Sequence, residues 1–194
     1  MAAILGILAS GSGSNCVAIA QAIQQGSLEA TIAVVVYNNP DAAVRDRVNR
    51  FGIPSVLVNH RDFSQREHFD AAVVGVLQDY GVEWVIMAGW MRRVTDVMLE
   101  AFPERLLNIH PSLLPSFPGV RAVEQALAYG VKITGCTVHR VTLEVDQGPI
   151  IAQAAVPVLP DDTASRLHQR IQIEEHRLYP LAIASVLRGE HYIP

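Results

Sequence analysis

A chain of 194 residues, half of them apolar and 18% charged, is long enough to bury a sizeable core, and its length points to one domain over 1–194. A formal net charge of −4, with 15 Lys and Arg and no basic patch or tail, argues against nonspecific binding to nucleic acid or acidic membranes, while a small anionic ligand stays compatible. The apolar N-terminus is too short to span a bilayer, has no basic leader and runs into Gly11 and Ser12, so a cytoplasmic protein with no membrane partner is expected.

The first element expected is a buried strand from Ala3 to Leu8, followed by the turn LASGSGSN and a helix from Ser14 to Gln25 with Val17, Ala18, Ala22 and Ile23 on one stripe. A dinucleotide fingerprint needs a third glycine where Cys16 stands, and an acidic residue at the end of the next strand, where Tyr37-Asn38-Asn39 is found. A Walker loop needs a lysine that is missing. Two readings of the turn stay open: a plain tight turn, or a helix N-terminus offering backbone N–H groups with Ser12, Ser14 and Asn15 to one phosphate monoester.

Further strands are expected at Thr31 to Tyr37, Ser55 to Val58 and Trp84 to Ala88. Helices are expected at Asp41 to Phe51 and Ser64 to Tyr80, and Gly26, Gly52 and Gly81 close the three helices so far. Such alternation implies an α/β fold with an open, mostly parallel twisted sheet and helices on both faces. After about Leu106 the pattern gives a short strand at Leu107 to Ile109, the proline-rich HPSLLPSFPG and a helix near Arg121 to Tyr129. Strands at Gly135 to Val141 and Pro149 to Val156 follow, then a long helix from Thr163 to Leu187 interrupted by Pro180 and capped by Asp162 or Thr163. Cys16 and Cys136 sit in apolar patterns and read as buried free thiols.

The chemistry concentrates in LLNIHPSLLPSFPG. Asn108 and His110 are two apart in an extended run, so both project from one face, and Pro111 keeps His110 extended. An amide and an imidazole side by side at a strand end can donate together to a developing oxyanion, as acyl transfer requires. Asp146, in the connection TLEVDQGP, is the second candidate: beside His110 its charge would favour the imidazolium and its oxygens could take protons from a reacting amine. Thr137 and His139 repeat the two-residue spacing, as a supporting shell or as packing. The scattered histidines give no metal-ligand spacing, so no metal is expected.

LNIHPSLLPSFPG, with GSGSN at the first turn, AGWMRR ahead of it, and GCTVHRV and VDQGPII behind it, resembles the glycinamide ribonucleotide formyltransferase family, in order from Leu5 to about Leu187. That resemblance implies an enzyme of purine biosynthesis with a Rossmann-like N-terminal half holding the phosphoribosyl substrate and a C-terminal half for folate and catalysis. It implies formyl transfer from 10-formyltetrahydrofolate, as cosubstrate, to the amine of glycinamide ribonucleotide. Asn108, His110 and Asp146 match the family's catalytic trio. Ser12, Gly13, Ser14, Asn15 and Arg66 match its phosphate site, Glu175 its glutamate near the glycinamide end, and Asn108 matches a substrate-binding position as well. Met91, Arg92, Arg93 and Val94, and Val141, Thr142, Leu143, Glu144, Val145 and Asp146, match its folate-holding segments, and Leu114-Pro115 its cis peptide. Arg93 and Arg121-Ala122 depart from the family's usual residues. By residues alone, Arg66 also fits a solvated helix position, Glu175 an i, i+4 pair and Trp90 a core site. The partners implied are these small molecules, for a monomer or a homodimer. Rival readings are a tRNA formyltransferase, for which the chain is too short and too acidic, a formylfolate hydrolase, a nucleotide oxidoreductase and a non-catalytic phospholigand module.

Overall fold

The computed structural model describes residues 2–190. The chain forms two compact units, the first ending at Leu107 and the second starting at Asn108. In the first, β1 (Ala3–Ala9), β2 (Ala30–Tyr37), β3 (Ser55–Leu57) and β4 (Trp84–Met87) lie parallel in the order β3-β2-β1-β4. Between them run α1 (Ser14–Gln24), α2 (Val44–Asn49) and α3 (Arg66–Asp79), and α4 (Asp96–Ala101) follows β4. β1 is a near-continuous apolar run because it is central: Leu5, Ile7, Leu8 and Ala9 are wholly buried. Burying each of its large side chains contributes about 1.5–3 kcal/mol. Gly6 lets α3 approach, since a Cβ there would lie 2.5 Å from Leu77 Cδ2.

With β2 on one side of β1 and β4 on the other, the strand order reverses between β1 and β4. Open α/β sheets take their ligands at the carboxyl ends of such strands. Two segments emerge there, Ser10–Asn15 after β1 and residues 88–95 after β4.

β5 (Leu106–His110) carries the chain into the second unit. There α5 (Ala122–Tyr129) precedes an antiparallel hairpin of β6 (Ile133–Arg140) and β7 (Ile150–Pro157), with Cys136 opposite Ala154 and a register shift at Val138/His139. The strand order β3-β2-β1-β4-β5-β6-β7 makes a seven-stranded, mostly parallel open sheet. α6 (Ala164–Leu187) packs on the hairpin and buries Leu167, Ile171, Tyr179 and Ile183. Cys16 and Cys136 are buried free thiols, both pushed up to about 12 by burial.

Two local expectations are corrected, and the choice between two cap residues is resolved. Pro180 does not interrupt α6, which runs 24 residues through it. The hydrogen bond it removes is outweighed by burial of Leu178, Tyr179, Ala182 and Ile183 around it. The helix expected from Asp41 begins only at Val44, because Asn39 turns the chain first: its carbonyl accepts from Ala42 N at 3.0 Å and its Oδ1 from Asp41 N at 3.3 Å. Of the two cap candidates for α6, Thr163 accepts from Arg166 N, while Asp162 pairs with Arg170. α4 and a 3-10 turn at His60–Asp62 escaped the sequence pattern, being only six and three residues long.

Candidate active site

The Asn-x-His spacing in β5 works as the strand period requires. Beyond β5 the chain folds back, and the connection between β6 and β7 brings Asp146 to the same place. His110 is 6% exposed. Its Nδ1 lies 3.3 Å from Asp146 Oδ2, and its Nε2 lies 2.9 Å from the Phe117 carbonyl. A carbonyl only accepts, so Nε2 carries a hydrogen. Gly119 N–H donates to Asp146 Oδ2 at 2.7 Å. Burial pushes the Asp146 carboxyl up, but its contacts with His139 and Gly119 N–H and the charge available on His110 and His139 outweigh that and hold it below the ordinary carboxylate range. An ionised carboxylate thus faces one ring nitrogen of His110 and a carbonyl the other, so both nitrogens lie against acceptors.

His139 joins the same cluster. Its Nδ1 donates to its neighbour's carbonyl, Arg140 O, at 2.8 Å, which leaves Nε2 to accept from Asn108 Nδ2 at 3.1 Å. His139 Nε2 also lies 3.6 Å from Asp146 Oδ1, too long for a hydrogen bond. One N–H of the Asn108 amide is thereby fixed and its other N–H is directed away from His139.

Thr137 holds the turn rather than the reacting groups. Its wholly buried hydroxyl donates to Ser112 O at 2.7 Å and accepts from Leu114 N at 3.0 Å and Gln153 Nε2 at 2.9 Å. Gln153 also donates to Leu114 O at 2.9 Å, beside the cis Leu114-Pro115 peptide. Ser112, buried at 0% exposure, donates to Ser116 O at 2.6 Å. Ser112, Phe117, Gly119 and Gln153 were missed by reasoning from the sequence. Two of them act through backbone groups, and Gln153 reaches the turn only because β7 pairs with β6. Phe117, Arg121 and Asp146 all take positive φ, at 56°, 58° and 57°. Such non-glycine residues cost about 1–3 kcal/mol each and gather where function demands a fixed shape.

In the first unit, Ser12 and Ser14 flank Gly13 at the start of α1, where Gly13 takes φ 74° and no side chain caps the helix. A Cβ on Gly13 would meet Val44 Cγ2 at 2.4 Å, so both backbone angle and space demand glycine. Asn15 and Cys16 are buried just behind. Arg66 is exposed at the first residue of α3. A cation there opposes the helix dipole, and an anionic ligand would relieve that opposition.

Met91–Val94 has no regular structure: Met91 is 75% exposed, Arg93 is exposed, and Val94 is buried. Arg92 lies 5.9 Å over the Phe69 ring. Trp90 stacks on Phe69 at 5.8 Å and is a core residue, 7% exposed. Of the second segment, Val141, Thr142, Leu143, Glu144 and Val145 form the irregular run before Asp146. Thr142 Oγ1 donates to Glu144 O at 3.1 Å and Leu143 is 52% exposed. Glu175 is buried in α6 at 5% exposure. Among the described residues no group of three or more His, Cys, Asp or Glu is arranged to hold a metal, and no helix is long and apolar enough to cross a membrane.

The family model described as formyl transferase matches residues 4–183. A phosphoribosylglycinamide formyltransferase of Bacillus subtilis is 40% identical over 188 residues, covering 95% of this chain and 96% of that protein. The human trifunctional purine biosynthetic protein adenosine-3 is 42% identical over 94% of this chain, but the chain spans only 18% of that protein's length. The crystal structure of glycinamide ribonucleotide transformylase 1 from Symbiobacterium toebii superposes with a TM-score of 0.96 at 49% identity, covering 99% of this chain and 91% of the other. The chain belongs to the formyl transferase family.

Proposed function

We propose that this protein transfers the formyl group of 10-formyltetrahydrofolate to the amine of glycinamide ribonucleotide, with the whole of 1–194 acting as one formyltransferase domain. The observation that supports this is that, in a formyl transferase, His110 meets Asp146 while Asn108 meets His139, which lies beside the same carboxylate. Formyl folate supplies the activated formyl group, whose carbonyl oxygen gathers negative charge as the amine attacks.

Asn108, through the N–H not given to His139, and His110 donate to that oxygen. For His110 to do so, Nε2 must give up or share its hydrogen bond with Phe117 O. Losing one such donor typically costs about 2.7–4 kcal/mol of transition-state stabilisation. Asp146 keeps His110 charged and oriented, and accepts the proton leaving the attacking nitrogen for delivery, through water, to the departing folate nitrogen N10. The carbon–N10 bond breaks as the new carbon–nitrogen bond is completed, with no covalent enzyme intermediate and no metal assigned. Ser12, Gly13, Ser14 and Asn15, with Arg66, take the phosphate, and Glu175 the glycinamide end. Met91–Val94 and the 141–146 run take the folate, to which the exposed Met91 and Leu143 offer apolar surface.

The test supplies 10-formyltetrahydrofolate and follows loss of its formyl group with glycinamide ribonucleotide, with a formyl-accepting sugar nucleotide, or with water alone. Loss that requires the ribonucleotide is expected, with His110→Ala and Asn108→Ala each about 10²–10³ slower. Equal loss in water alone would replace the transferase by a hydrolase, and near-normal turnover by His110→Ala would overturn the mechanism.

A further inference from the structure

The irregular segment after β4 is fastened at both ends. At its start Ser10 makes two bonds: its N–H donates to Gly89 O at 3.1 Å and its hydroxyl oxygen accepts from Met91 N at 2.9 Å. At its end Thr95 donates both its N–H, at 2.7 Å, and its hydroxyl, at 2.9 Å, to Asp70 Oδ2. Thr95 is the N-cap residue of α4 yet makes no capping bond of its own, having given its hydroxyl to α3.

Asp70 is a costly choice for that anchor. It is wholly buried, its Oδ1 has no hydrogen-bond partner among the described residues, and burial pushes its carboxyl up against the pull of the two Thr95 donors. An apolar residue at 70 with an apolar residue at 95 would spare the fold this buried carboxylate, so the pair has a use beyond filling space. What the carboxylate does, and an apolar residue could not, is fix the direction in which residues 91–94 enter α4. Between the two anchors Met91 and Arg93 are exposed, and Arg92 is held over the ring of Phe69, the residue before Asp70.

We propose that Ser10 and Asp70 are positioning residues that clamp the two ends of Met91–Val94 in the shape that receives formyl folate. This rests on the folate role proposed above for that segment. Neither residue touches the reacting atoms in this scheme. Ser10 lies one residue before the Gly/Ser loop and Asp70 one helical turn after Arg66, so the clamp is built on the elements assigned to the phosphate.

The full chain is compared with Ser10→Ala, Thr95→Val and Thr95→Ser, which leave the buried Asp70 in place. Steady-state rates are measured with both substrates varied, together with amide hydrogen exchange. Thr95→Val is expected to raise the KM for 10-formyltetrahydrofolate about tenfold, the loss typical of one buried hydrogen bond, and Ser10→Ala, whose bond to Met91 N is exposed, about threefold, while the KM for glycinamide ribonucleotide stays within about twofold. Thr95→Ser, which keeps the hydroxyl, restores the folate KM. Exchange quickens in residues 89–95 and is unchanged in β1.

An unchanged folate KM in both variants would overturn the clamp. So would a fall in kcat and a rise in both KM values that track the loss of thermal stability, which is general loosening. Absence of formyl transfer by the unmutated chain would instead overturn the functional proposal and, with it, the clamp's role; an active parent with unaffected variants would overturn the clamp alone.

Discussion

Replacing Thr137 by Val keeps the shape of the side chain and removes only its hydroxyl, so the cost can be worked from what that oxygen touches. Ser112 O loses the donor at 2.7 Å and Leu114 N loses the acceptor at 3.0 Å, while Gln153 keeps its bond to Leu114 O. Thr137 is wholly buried, so water cannot take over. A buried polar group left without a partner costs about 1–3 kcal/mol, and two such groups with some relaxation give a loss of about 2–4 kcal/mol. For a chain of this size each kcal/mol moves the melting temperature by about 2–4 °C, so a fall of about 4–16 °C is expected by circular dichroism. Thr137→Ser, which keeps all three bonds, is expected to melt close to the parent. Turnover is expected to fall further than stability explains, because the same turn delivers Phe117 O to His110. A Thr137→Val variant melting within about 1 °C of the parent would refute the account of the turn.

Gly13→Ala is expected to lose about 1–2 kcal/mol from the left-handed backbone alone, and more from the clash with Val44, in urea unfolding. Its thermal stabilisation by added inorganic phosphate is expected to vanish, and undiminished stabilisation would argue against the loop as an anion site. Asp146→Asn is expected to change the acid limb of stability. Because the Asp146 carboxyl is held below its ordinary 3.8, its contribution is whole above that value and is lost as pH falls through the lower folded value. The stability gap between parent and Asp146→Asn is therefore expected to close on acidification below 3.8, and a gap independent of pH would contradict it.

Much of the architecture was legible because it is periodic. Apolar runs such as Thr31 to Tyr37, bounded by glycine-closed helices, mark buried parallel strands, and their ends fell within a residue or two of β2 and its neighbours. The Asn108/His110 pair was legible for the same reason, since a period of two puts both on one face. Length was what hid α4 and the 3-10 turn, and packing was what carried α6 across Pro180. The polar fastening of the site was illegible for a different cause. Its members meet through tertiary folding, as Gln153 meets Leu114 across 39 residues, or act through the main chain, whose groups every residue type carries alike. His139 illustrates the border: its spacing from Thr137 was visible, whereas its ring's bond to Asn108 depends on the pairing of β6 beside β5.

Phe117 and Gly119 meet His110 and Asp146 with a carbonyl and an N–H, not with side chains. A scan that shortens side chains one at a time would therefore pass over the contacts that currently occupy the acid and the imidazole. At Phe117, removal of the ring leaves the carbonyl in place, and glycine there would even ease a backbone angle of 56°. At Gly119 a methyl group has room, but the φ of 79° does not suit it, and proline would delete the donor outright. Tolerance at these two positions thus measures how much of the resting arrangement is written in the path of the chain.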